Sequence, residues 1–238
     1  MSSAATASGP SAGPATPTTV KGLSSARRAL LACGVASSLL YVAMNAFVPM
    51  FWESYSCASQ TVSELSAIGA PTRPLWVALG VAYTLLFAAF GAGVWASAGR
   101  SQPLRVVGAV IIASGVVGLA WPPMHLREAL AAGGGTLTDT LHLVWTAAWG
   151  LLSMLAMGFG ATALGRRFRL YTVVTIVIMI AFGYLTGLDG PRIGANLPTP
   201  WIGVWERINI GAYVLWVAVL AAALLRSGAD GPRRGASA

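Results

Sequence analysis

Residues 75–98, LWVALGVAYTLLFAAFGAGVWASA, carry the plainest structural signal in the chain. This segment contains no charged side chain. Wound as a helix at about 1.5 Å per residue it is about 36 Å long, enough to cross a hydrocarbon core roughly 30 Å thick. Five more stretches of comparable character follow or precede it, at residues 29–51, 104–121, 137–164, 170–188 and 203–225. The whole chain agrees with them. Of its 238 residues 56% are hydrophobic and 9% are charged, against about 25% charged in a soluble domain. The expected fold is all-α, a polytopic membrane protein built as a six-transmembrane-helix bundle.

The charges sit between the apolar stretches. With both termini inside, Lys21, Arg27, Arg28, Arg100, Arg105, Arg166, Arg167, Arg169, Arg226, Arg233 and Arg234 fall on one side, eleven of the fifteen Lys and Arg. Arg73, Arg127, Arg192 and Arg207 fall on the other. Cytoplasmic loops carry such an excess of cations, which predicts an N-in, C-in protein of the plasma membrane. Trp52, Trp76, Trp121, Trp201 and Trp205 group at the opposite boundary, where an aromatic belt belongs. The formal charge of +8 is therefore a topology signal. It does not point to nucleic acid, for which no recognition motif is present. The Ala-, Gly- and Arg-heavy composition suggests a high-GC bacterium.

Residues 1–24 are rich in Ser, Ala, Thr, Pro and Gly and read as a disordered cytoplasmic tail. No apolar stretch follows Met1, so the first span is expected to serve as an uncleaved anchor. The membrane domain covers 25–226, and a second short tail covers 227–238. Cys33 and Cys57 lie at opposite ends of the first span, too far apart for an internal disulfide, and are expected to be free thiols.

Residues 53–73, ESYSCASQTVSELSAIGAPTR, form the most patterned polar segment. Thr61 and Glu64 have capping-box spacing, in which each side chain satisfies a free N–H group at a helix start. Val62, Leu65 and Ile68 recur at three-residue spacing and give one apolar edge. Ser63, Glu64 and Ser66 are left to the other sides, and Gly69 and Pro71 stop the element. The pattern predicts a short amphipathic helix at the membrane surface or tucked over the bundle.

The run SQTVSELSAIGAP at 59–71 resembles a signature of a prokaryotic membrane family known as domain of unknown function 998. The run WERINI at 205–210, with Gly203 before it and Trp216 after it, is similar to the opening of that family's last helix. His142 near the start of the fourth span is a third, looser point of likeness. The chain departs from the family pattern at 121–125, which reads WPPMH where an acidic residue is usual. The resemblance implies a six-helix membrane fold and no activity.

Polar groups inside a membrane span are costly and point to function. Asn45, Glu64, His142, Glu206 and Asn209 all belong to outer halves of spans or to the segment beside them, and are expected to line one outward-facing pocket for a small or lipid-like ligand. Asp139 and His142 share a helical face, as do Glu206, Asn209 and Tyr213, and Ser38, Tyr41 and Asn45. A second reading takes His125, Asp139 and His142 as a metal site, with zinc as the suited ion and Glu64 or Glu206 as general base for a hydrolase at the outer leaflet. Against it stand the absence of a third His and two plainer roles, Asp139 bonding His142 or capping its helix, and His125 as a wet loop residue. Ser63 or Ser66 with His142 and Asp139 has the composition of a hydrolytic triad, but no Gly-x-Ser-x-Gly elbow accompanies it. A third reading is a non-catalytic scaffold subunit. Glu206 beside Arg207 reads as an ion-paired anchor facing Arg73, Arg127 or Arg192, Asp189 in 187–191 as a turn former, and Trp145 and Trp149 as core packing. No broken helix pair repeated in two halves favours a transporter.

Overall fold

The computed structural model describes residues 24–229. The tail residues 1–23 and 230–238, including Lys21, Arg233 and Arg234, lie outside the described residues. Seven helices run in the order α1 (Ser25–Phe47), α2 (Arg73–Ser97), α3 (Gln102–Leu119), α4 (Arg127–Ala131), α5 (Leu137–Ala163), α6 (Arg166–Gly194) and α7 (Ile202–Ala229). All but α4 are long and apolar enough to cross a membrane, and among the described residues there is no strand.

Local chemistry sets the ends. Ser24 caps α1 and Ser101 caps α3, each accepting from a backbone N–H three residues on. α1 tightens into a 3-10 turn at Val48–Phe51, where Pro49 has no N–H to continue the ladder. Gly99, at φ 52°, reverses the chain between α2 and α3. α6 runs past Asp189, Gly190 and Pro191, where a turn was expected. One proline removes one helical hydrogen bond, and Asp189 stays on the helix 3.8 Å from Arg192. The helix stops instead at Asn196, at φ 50°. Its N–H bonds Ile193 O at 3.0 Å, and that of Leu197 bonds Arg192 O at 2.8 Å. This is a Schellman closure with asparagine in the left-handed position.

Close approach needs small residues where lipid supplies no hydrophobic drive between helices. A Cβ on Gly93 would lie 2.9 Å from the backbone of Leu30 on α1, and one on Gly108 2.6 Å from the backbone of Trp95 on α2. Gly160 lies under Trp216, whose indole donates to Thr172 Oγ1 at 2.9 Å and joins α7 to α6. Ser38 on α1 donates to Val214 O on α7.

The main core gathers Leu31, Phe87, Phe90, Val107, Met157, Trp216 and Leu220. Because Leu31 and Leu224 share it, the start of α1 and the end of α7 lie at the same end of the bundle. Two smaller cores sit at the other end. One joins Met44, Val48, Val62, Leu65 and Trp76; the other joins Ala67, Met124, Ile193 and Ile202. Large apolar side chains such as Leu143, Leu151 and Leu170 point outward over most of their area, as a bilayer-facing surface requires.

The patterned segment differs from expectation in its helix type, in the burial of its polar side and in the place of Ile68. Its capping box is present, with Thr61 Oγ1 taking the Glu64 N–H and the Glu64 carboxylate taking the Thr61 N–H. The element is a five-residue 3-10 helix, Val62–Ser66, and its polar side is not wet. Glu64 and Ser66 are both fully buried. Ile68 falls beyond the helix and is exposed, its N–H bonding Met124 O at 2.7 Å. The segment is folded into the end of the bundle, so side chains of both kinds meet protein. Trp76, placed by sequence in the aromatic belt, is likewise turned inward.

Candidate functional site

Two polar assemblies occupy this end of the molecule. The first is a clasp centred on Glu64. Its Oε1 takes Arg127 Nε at 2.8 Å, and its Oε2 takes Arg127 Nη2 at 2.9 Å and the Thr61 N–H at 2.7 Å. Arg127 also reaches Thr199 Oγ1 and Ser59 O, and Thr199 donates to the same Ser59 carbonyl. The hydrogen bonds to the Glu64 carboxylate hold the Arg127 guanidinium above its ordinary pKa, against the opposing effect of burial. Arg207 is a second tie. It donates to Cys57 O, Gln60 O and the Tyr55 hydroxyl, and burial raises the pKa of that phenol. No ion pair forms between Glu206 and Arg207; the buried pair is Glu64 with Arg127.

The second assembly surrounds a cavity of about 340 Å³ between α1, α2, α5, α7 and the 62–66 turn. Tyr41, Trp76, Tyr83, Trp121, Trp145 and Trp149 supply its aromatic wall. Trp145 and Trp149 stack with centroids 5.1 Å apart, so these rings, read as core packing, form a wall as well. The polar part of the lining includes Ser63, Ser66, Arg73, His142, Glu206 and Asn209. Glu206 Oε2 accepts the Val62 N–H and so holds the turn. The Asn209 side-chain amide donates to Met179 O and ties α7 to α6. Arg73 donates to Ser66 O.

The cavity therefore brings together His142, Glu206 and Asn209 from the expected pocket. Glu64 is not on it, being consumed by Arg127. Asn45 is not on it either; its side-chain amide donates to Tyr41 O one turn back on α1. Arg73 and Ser63 are cavity residues that the pocket reading did not include. The signal for Arg73 was its position, a cation directly before an apolar span.

The metal triplet is divided. His125 Nδ1 is 2.9 Å from Asp139 Oδ2 and its N–H is 2.7 Å from Oδ1, while Asp139 also caps α5 through Thr136. His125 is thus a bonded, largely buried residue rather than a wet one. His142 has other partners, Pro122 O at Nδ1 and Ser63 Oγ at Nε2. Among the described residues no group of three or more His, Cys, Asp or Glu is placed to hold a metal ion.

Six long apolar helices, with a polar clasp and an aromatic cavity at one end, define a multi-pass helical membrane protein. The family model for DUF998, described as "Protein of unknown function", matches residues 35–223, and the chain belongs to that family. Nothing among curated proteins or solved structures matches it.

Proposed function

We propose that the protein binds a small or lipid-like ligand in the aromatic-walled cavity, at the outer face of a bacterial plasma membrane, with both termini cytoplasmic. The observation that carries the reading is the cavity lining. An apolar aromatic wall meets Arg73, His142, Glu206 and Asn209, which suits a molecule with an apolar body and a polar end. Its volume of about 340 Å³ falls within the size range of ligand sites. The cation excess on the loops at the termini end supports the orientation.

The test is ligand retention. Wild-type protein purified in mild detergent is expected to carry a specific amphiphile, detectable by mass spectrometry of the extracted lipids. Gly80 lines the cavity, and a Cβ there meets nothing within 4 Å. Gly80→Leu should fill the space without unfolding α2 and reduce the retained ligand at least tenfold. Equal retention by the two proteins would sink the reading.

A further inference from the structure

The Ser63 hydroxyl and the His142 imidazole meet on the cavity wall, with Oγ 3.2 Å from Nε2. The far ring nitrogen, Nδ1, is 2.8 Å from the Pro122 carbonyl oxygen. A carbonyl has no proton to give, so Nδ1 carries the hydrogen. In the neutral ring Nε2 is then bare and can accept from the Ser63 hydroxyl, which also lies within reach of the Glu206 carboxylate. Pro122 lies just past the end of α3, so its carbonyl is not claimed by a helical N–H. Trp121 packs edge-on against the imidazole with centroids 5.6 Å apart and limits its rotation. His142 is 5% exposed, while Ser63 is half-buried and open to the cavity.

A hydroxyl, a base oriented to receive its proton, and an acceptor that sets the base's tautomer are the parts of an activated nucleophile. Here the orienting acceptor is a backbone carbonyl. Asp139, the triad's third member by sequence, is bonded to His125 instead. Glu206 fixes the backbone of Val62, next to the nucleophile, and acts as a positioning residue. Arg73 brings a guanidinium to the same cavity.

We propose that Ser63 is a nucleophile and His142 its general base, and that the cavity cleaves acyl esters of amphiphilic, lipid-like molecules. The proposal rests on the ligand reading for its substrate class. Ser63 Oγ attacks the ester carbonyl carbon as its proton passes to His142 Nε2. The tetrahedral intermediate collapses with loss of the alkoxide, which takes that proton and leaves as an alcohol. Water then attacks the acyl-serine, giving a proton to Nε2. Ser63 leaves with that proton and the acid is released. Arg73 supplies positive charge for the oxyanion formed in both steps.

The experiment uses the full chain in phosphatidylglycerol nanodiscs, treated with a fluorophosphonate probe and mapped by peptide mass spectrometry. The expected result is one adduct, on Ser63, absent in Ser63→Ala. His142→Asn keeps an N–H donor for the Pro122 carbonyl but supplies no base, and should slow labelling about 100-fold or more. Ser97→Ala, at the opposite end of α2, should label as wild type does. Hydrolysis of p-nitrophenyl butyrate should follow the same order. A wild-type protein with a cooperative melt and no Ser63 adduct would overturn the proposal, as would an unchanged labelling rate in His142→Asn. Lipid retained without an adduct overturns the acyl step alone. An adduct without retained lipid supports the acyl step and overturns the ligand-retention reading alone.

Discussion

Glu64 is a carboxylate with 0% exposure, and Arg127 is the cation that makes such burial tolerable. Removing one member of a buried pair strands the other's charge, at a cost on the order of 3–5 kcal/mol, whereas replacing both by apolar residues is often nearly neutral. Glu64→Gln and Arg127→Met are each expected to lower the melting temperature in detergent sharply. The double variant Glu64→Leu/Arg127→Met should recover most of the loss. Additive losses in the double variant would show that the two residues do not act as a pair. The capping role of Glu64 was legible because Thr61 and Glu64 are three residues apart and answer to local backbone geometry. Its partner was not legible. Arg127 is one of four cations assigned to that side, and nothing local selects it over Arg73, Arg192 or Arg207.

At the level of elements, the end of α6 is the instructive case. Asp189, Gly190 and Pro191 are turn formers in an aqueous loop, yet the helix continues through them to Gly194. In a membrane helix the surrounding backbone bonds are worth keeping, and one missing N–H is tolerated. Asn196 performs the stop because its side chain tolerates the left-handed region better than most. Asn196→Ala should destabilise the protein by roughly 1 kcal/mol, while Asn196→Gly should be neutral or slightly stabilising. Thermal unfolding of the two variants side by side checks this; equal melting temperatures would remove the closure from the account. The 62–66 turn makes the converse point. Its spacing predicted an apolar edge and a polar one, yet Val62 and Leu65 on the first and Glu64 and Ser66 on the second are all buried, because the turn is folded into the end of the bundle.

The whole molecule offers its own topology probe. Cys57 is exposed beside the clasp, at the end of the bundle opposite the start of α1, and Cys33 lies within α1. If the clasp faces outward, a membrane-impermeant maleimide should label intact cells at Cys57, and Cys57→Ser should abolish the signal. Labelling that appears only after the membrane is permeabilised would reverse the proposed orientation. The same end of the bundle holds the cavity, so this result also decides which side of the membrane the cavity faces.

The class of protein, the six spans and the capping box at Thr61 follow from the amino-acid order alone. Those features depend on transfer of side chains into hydrocarbon, which adds up over a window of about 20 residues, and on backbone bonds closed within one turn. Which polar groups meet depends on how the helices pack. Ser63 and His142 are 79 residues apart, and Glu64 and Arg127 are 63 apart. Successive residues on a helix turn by about 100°, so the partner of a side chain depends on the rotation of each helix against its neighbours. Helix packing sets that rotation, through contacts such as Gly93 on Leu30 and Gly108 on Trp95. It gave Asp139 to His125, His142 to Ser63, and Glu64 to Arg127 rather than to the cavity.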